Sequence, residues 1–214
     1  MYQDGQARSR HEEVLAFKQL ERNRYDHKPY NRVRSRLIGT RGLMAIQCDG
    51  DYRVAQYIRC DAYPSGIGEQ IIRFAKTHLS TPEGIADFRE KVRACKFDKR
   101  AGLNDVKWDA SLLEDIARGK PCLSQNHIDL AYDSAVCEWA YVIDLDAATL
   151  ECYRGMNFKP LEAGDRFFRE GDKGYKTISG STYYPIKLID LIHLEDIGQD
   201  TIEDIVRRWE NTRR

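Results

Sequence analysis

The dipeptide Asp49-Gly50 constrains the fold more than any other feature of the chain. It stands between two runs of strand-forming residues, Leu43-Met44-Ala45-Ile46-Gln47 and Tyr52 to Ile58. Glycine tolerates the positive φ that a tight type I′ turn demands, so the chain is expected to double back here as a β-hairpin. A second hairpin is expected further on. Cys137 to Leu145 is rich in β-formers, Asp146-Ala147-Ala148 turns it, and Leu150 to Arg154 returns. Tyr183 to Ile192 reads as one further strand.

Helical spacing fills the intervals. Glu69 to Leu79 carries Ile71, Ile72, Phe74 and Ala75. Ser80 or Thr81 caps a second helix, with Pro82 in its first turn, running to about Cys95. Ser111 to Arg118 is a third, closed by Gly119 and Pro121, and residues 97–107 read as a loop. Thr201 to Asn211 closes the chain, with Ile202, Ile205, Val206 and Trp209 on one face. The pattern predicts an α+β fold: an antiparallel sheet built from two hairpins plus an extra strand, with helices packed on it.

The chain has 214 residues, 42% of them hydrophobic, which suits one sizeable core. Residues 39–214 read as a single α+β domain and residues 1–38 as a basic N-terminal extension. In that extension Val14, Leu15, Phe17 and Leu20 predict one amphipathic helix from Arg10 to about Arg24. Residues 25–38 are polar and Arg-rich, either a solvated arm or a nucleic-acid contact. Lys+Arg and Asp+Glu both number 34, so no global field attracts nucleic acid or acidic lipid. Residues 1–41, however, hold ten basic side chains against five acidic ones.

No apolar stretch approaches the roughly 20 residues that span a bilayer, and the N-terminus has no apolar signal core. A cytoplasmic protein without membrane contact is expected. The six cysteines are scattered without a C-x-x-C pair, which argues against a zinc ribbon and for reduced thiols. His127 has no second histidine at metal-ligand spacing. Neither a metal nor a cofactor is expected.

The loop Asp61-Ala62-Tyr63-Pro64-Ser65-Gly66-Ile67-Gly68 is the sharpest candidate site. Pro64 fixes φ, and Gly66 and Gly68 allow a tight path with exposed amides at a helix start, which suits an oxyanion or phosphate. Asp61, Tyr63 and Ser65 add an acid, a phenol and a hydroxyl. A plain strand-to-helix turn explains the same residues. Arg41, beside Thr40, can clamp a carboxylate or phosphate in two-point fashion, and Gln56 and Tyr57 lie on the paired strand. Alternation sets Cys137, Trp139 and Tyr141 on one strand face and Glu138, Ala140, Val142 and Asp144 on the other. A carboxylate on a buried face must be paired or its pKa rises, so Glu138 is either a general base, a guanidinium receptor or a salt-bridge partner. Cys137 is either a nucleophile or a small buried hydrophobe.

Several ordered motifs resemble a family of bacterial, phage and fungal proteins of uncharacterised activity. They are Gly39–Leu43, Arg53–Tyr57, Asp61–Gly68, Cys137–Asp146, Tyr153–Gly155 and Tyr183–Leu188. The chain departs from that family in its extension before Gly39, and in Cys60, where many members carry Trp. Small fungal proteins that make arginine-containing cyclodipeptides from aminoacyl-tRNA are similar in size and intracellular character. That resemblance implies an amide-forming enzyme in which Asp61, Tyr63 and Glu138 do the chemistry. Asp61 and Glu138 would bind a guanidinium or move protons. Thr40, Arg41, Gln56, Tyr57, Ser65, Gly66, Gly68, Cys137 and Trp139 would line the substrate, and the Arg-rich N-terminal segment would meet tRNA phosphates. A different expectation is a hydrolase of the N-terminal-nucleophile type, with Thr40 freed by cleavage after Gly39. A third is a non-catalytic module that binds a nucleotide or a protein.

Overall fold

Arg41 and Glu138 lie 97 residues apart in sequence, yet they meet through their backbones at one end of a sheet. The computed structural model describes residues 39–98, 109–178 and 180–212. In chain order it contains β1 (Gly42–Cys48), β2 (Asp51–Ile58), α1 (Glu69–His78), α2 (Pro82–Arg93), β3 (Lys96–Phe97), α3 (Ser111–Ala117) and β4 (Leu123–Ser124). Then follow β5 (Trp139–Asp144), β6 (Thr149–Arg154), β7 (Tyr175–Lys176), β8 (Thr182–Tyr183), β9 (Lys187–His193) and α4 (Ile202–Asn211).

The main sheet has the order β2-β1-β5-β6-β9 and is mostly antiparallel. An antiparallel sheet throughout is not what forms, because β1 and β5 run parallel, with Gly42 opposite Trp139 and Gln47 opposite Asp144. The reason is the path between them. The chain leaves β2 at the end where β1 starts, passes through α1 to α3, and returns to that same end. The strand that follows must then run the way β1 runs.

Two further expectations change. The single strand from Tyr183 to Ile192 is broken in two: Thr182–Tyr183 pairs with β7, and Lys187–His193 pairs with β6. Pro185, between them, has no N–H to give a ladder. The amides on either side bond elsewhere, Tyr184 N to Asn157 O and Ile186 N to Ala131 O, both at 2.9 Å. The expected loop from residue 97 overlaps β3, which pairs in parallel with β4. Its remainder over 99–107 lies outside the described residues, as do the helix expected over 10–24 and the arm over 25–38.

Helix starts are set locally. Thr81 Oγ1 accepts from Gly84 N at 3.1 Å, and Thr201 Oγ1 accepts from Asp204 N at 3.1 Å. Each satisfies an amide that a helix's first turn leaves free, which is worth about 1 kcal/mol.

The helices cover one face of the sheet. There Met44, Ile46, Tyr141 and Ile143 pack with Ile71, Phe74, Phe88, Leu113, Ile205 and Trp209. Leu43, Ala45, Ala140, Val142 and Tyr153 face the other way, under Leu161, Phe167 and Ile186 from irregular segments. Burying such a side chain contributes about 1.5–3 kcal/mol. Because both faces are covered, β5 is buried along its whole length rather than at alternate positions. Gly39–Arg214 forms one compact unit. Among the described residues, no helix is long and apolar enough to cross a membrane.

Candidate functional site at the start of the parallel pair

Thr40 and Arg41 lead into β1, and two segments close on them. On one side Ala62 N donates to Thr40 O at 3.0 Å. On the other, Glu138 N donates to Arg41 O at 3.0 Å, and Arg41 N lies 3.4 Å from Glu138 Oε1. Asp61, which precedes Ala62, and Glu138 therefore stand on the two sides of this strand start. Thr40 is 2% exposed, and its Oγ1 has no hydrogen-bond partner among the described residues. Arg41 Nε is likewise buried and without a partner there. An unsatisfied buried polar atom costs about 1–3 kcal/mol, so two on adjacent residues require an explanation.

The loop after β2 is built differently from the expectation of exposed amides. Pro64–Gly68 winds as one wide turn of π type. Gly66 N and Gly68 N donate to Tyr63 O at 2.9 and 3.1 Å, and Ile67 N donates to Asp61 O at 3.0 Å. Ser65 N points to Glu210 Oε1 at 3.3 Å, so a carboxylate from α4 already takes the place of an anion. The amides are committed, and the glycines are there for space. A Cβ on Gly66 would stand 2.5 Å from Asp61 O and 2.9 Å from Asp61 Oδ1. On Gly68 it would stand 2.7 Å from Tyr141 Oη, which donates to Ala62 O at 2.9 Å. Asp61 itself is exposed in the left-handed region at φ 61°, and Tyr63 and Ser65 are exposed beside it. Aspartate is one of the few residues that adopts this region readily.

The remaining candidates divide between the two faces. Gln56 is buried opposite Met44, on the helix face. Tyr57 lies opposite Leu43 on the other face, with its ring 6.1 Å from that of His127. Burial holds the His127 imidazole below its ordinary pKa. Trp139 packs on the helix face under the Arg154 guanidinium, 4.7 Å from its ring centre. Cys137 does not share that face. It packs with Ala140 and Val142, because Cys137 N still bonds to Asp133 O at 2.9 Å in the turn before the strand pleat begins. Burial pushes its thiol well above the ordinary range, and Sγ donates to Trp139 O at 3.4 Å. It stands as a protonated packing group.

A second polar cluster, which the motifs did not single out, occupies the other end of the parallel pair. Gln47, Asp144, Thr149, Glu151 and Tyr153 line the face away from the helices. Arg166 reaches onto them from the segment between β6 and β7. Its Nε and Nη2 donate to Glu151 at 2.7 and 2.6 Å, and it also bonds Asp144 and Gln47. Tyr153 Oη donates to Glu151, and Asp144 Oδ1 accepts from Asp146 N and Ala147 N at 2.9 Å. Burial alone would pull Arg166 down, but its bonds to Glu151 and Asp144 hold its pKa well above the ordinary value. Alternation along β5 had placed Asp144 on a face that needs a partner. Nothing in the aperiodic run around residue 166 marked which arginine supplies it.

Two cavities are present, the first of them beside the loop. One of about 240 Å³ is lined by Glu69, Ile202, Val206 and Glu210, and one of about 320 Å³ by Tyr132, Arg169 and Tyr175. Neither includes Asp61, Tyr63 or Glu138. Among the described residues, no group of three or more His, Cys, Asp or Glu is arranged to hold a metal ion. No known family, curated protein or solved structure matches the chain.

Proposed function

We propose that the protein forms amide bonds from aminoacyl-tRNA in the cytoplasm, at the end of the sheet where β1 and β5 start. The observation that carries this reading is the pair of buried groups, Thr40 Oγ1 and Arg41 Nε, that have no hydrogen-bond partner among the described residues. An Nε–H needs an acceptor, and a hydroxyl can donate. The carbonyl oxygen of an acyl ester satisfies both and gains negative charge when attacked. Asp61 and Glu138 stand on the two sides of this strand start, where a carboxylate can take the proton of an attacking amine or receive a guanidinium. In the reaction, one aminoacyl α-amine attacks the ester carbonyl of another. The C–N bond forms, the ester C–O bond breaks, and the ribose oxygen leaves with a proton. The resemblance to fungal makers of arginine-containing cyclodipeptides supports an arginyl group as one of the pair. The ten basic side chains in residues 1–41 supply charge for tRNA phosphates.

The test is incubation of the purified chain with arginyl-tRNA and each other aminoacyl-tRNA, with products read by mass spectrometry. Linear or cyclic dipeptides are expected, and they should disappear in Asp61→Asn and Glu138→Gln. No product from any pair rejects the proposal and leaves a nucleotide- or protein-binding module in its place.

The Thr40 hydroxyl, without a partner among the described residues, also favours a second reading, an N-terminal-nucleophile hydrolase. That chemistry needs the Gly39–Thr40 peptide to be cut so that Thr40 has its own amine. An intact mass corresponding to residues 1–214 removes this reading, and a mass corresponding to 40–214 establishes its first requirement.

A further inference from the structure

Cys95 and Cys122 each stand one position before a strand of the small sheet. In that sheet Lys96 faces Leu123 in parallel register, and Lys96 N donates to Cys122 O at 3.1 Å. Carried back one position, the same register sets Cys95 opposite Cys122 and on the same side of the pair. Neighbouring strands run about 4.8 Å apart. That lies within the Cα separation of about 4.4–6.8 Å that a disulfide spans. Both residues are free thiols, each 4% exposed.

We propose that Cys95 and Cys122 are a reversible disulfide site that reacts with hydrogen peroxide. The near-complete cover favours a small oxidant over a bulky disulfide. The two thiols act on each other electrostatically, and Cys95 Sγ also donates to Lys91 O at 3.9 Å. The neighbouring sulfur and burial raise the Cys95 thiol, and the same neighbour draws the Cys122 thiol down against its own burial. Cys122 is therefore the attacking sulfur. Its thiolate attacks one peroxide oxygen, the O–O bond breaks, and a sulfenic acid and hydroxide result. The Cys95 sulfur then attacks the Cys122 sulfur, the S–S bond forms, the S–O bond breaks, and the hydroxyl leaves with the Cys95 proton as water. Two thiols are oxidised and one peroxide is reduced to two waters.

The other buried thiols lack this arrangement. Burial pushes Cys137 and Cys152 up, and no thiol appears among the groups acting on Cys152. Cys48, at the end of β1, is close enough for its charge to be felt at Cys95, which makes it the one competitor. The cross-link would close residues 95–122, α3 included, into a covalent ring. It would tie that ring to the end of α2, whose Arg89 and Arg93 hold the Asp49 and Asp146 turns. The site is separate from Thr40 and Arg41 and does not depend on the reaction proposed for them.

The full chain is treated with hydrogen peroxide at neutral pH, alkylated, and mapped as peptides without reduction. The expected result is the loss of two hydrogens and a cross-link joining the Cys95 and Cys122 peptides. Dithiothreitol should reverse both, and the oxidised chain should melt higher by on the order of 5 °C. Cys95→Ser should stop at a dimedone-reactive sulfenic acid on Cys122, and Cys122→Ser should form no cross-link. A Cys48–Cys95 cross-link overturns the proposal. So does an unchanged pair in a wild-type chain whose exposed Cys60 has reacted. If Cys122→Ser fails to fold, the wild-type peptide map decides alone.

Discussion

The two ends of the β1/β5 pair carry the same kinds of residue and treat them in opposite ways. Where the strands finish, Arg166 sits among Glu151, Asp144 and Gln47, with side-chain bonds from its Nε, Nη1 and Nη2. Where they start, Thr40 Oγ1 and Arg41 Nε are buried with no such partners among the described residues. Density of charge therefore does not mark the end of this sheet at which the reaction is proposed. The saturated cluster holds an irregular segment onto the second face, and four side-chain bonds already occupy its guanidinium. The unsaturated pair has spare hydrogen-bonding capacity among the described residues, and the structure around it carries the cost of leaving it open.

The strongest way to break this contrast is Arg166→Met. It leaves two carboxylates buried without their cation and should destabilise the fold by about 3–5 kcal/mol, read from urea midpoints. Lost product formation at unchanged stability would instead make this end the site. Gly68→Ala comes next, at about 1–3 kcal/mol, because the new Cβ must displace the Tyr141 hydroxyl. In a Tyr141→Phe background the same substitution should cost less, and an equal cost would show that the loop is not seated on that hydroxyl. Thr40→Val removes an unpaired hydroxyl at constant shape. Stability should hold within about 1 kcal/mol while product formation drops at least tenfold. A larger stability loss would place Thr40 in the same class as Arg166.

Asp61→Asn should change stability by no more than about 0.5 kcal/mol, since Asn also accepts a positive φ and the side chain is exposed. Retained dipeptide formation would remove Asp61 from the chemistry. The smallest effect concerns His127. Burial lowers its folded pKa, so the unfolded chain binds the extra proton first, at about pH 6.5. Stability should fall as the pH drops below that value toward the folded pKa, and His127→Gln should flatten that part of the profile. An unchanged slope in the variant would assign the acid sensitivity elsewhere.

What could be read in the sequence follows from how local its cause is. Asp49-Gly50 turns its own neighbours, and Thr81 and Thr201 cap the helices they precede, so β1, β2, α2 and α4 were visible. Pro185 is visible too, but the β-formers on both sides of it mask its power to split a strand. The parallel sense of β5 depends on the path of the intervening helices, which no window of residues contains. At the site, Arg41 and Glu138 were nameable one at a time. Their meeting through paired backbones, and the commitment of the loop amides to Tyr63, Asp61 and Glu210, are properties of the packed chain. Arg166 was missed for the same reason, since its partners come from three strands and its own segment has no period.

The parallel pairing of β1 with β5 also sets an order in time. On a ribosome that adds about 5–20 residues per second, β1 emerges on the order of 5–20 s before its inner neighbour exists. Through that interval the β1–β2 hairpin exposes an apolar edge of unpaired amides and carbonyls, the usual template for pairing with another chain. The central ladder cannot close until residues near 144 have been made. For this protein, yield during synthesis should respond to translation speed and to chaperones that shield open strand edges, even in variants whose finished fold is as stable as the parent.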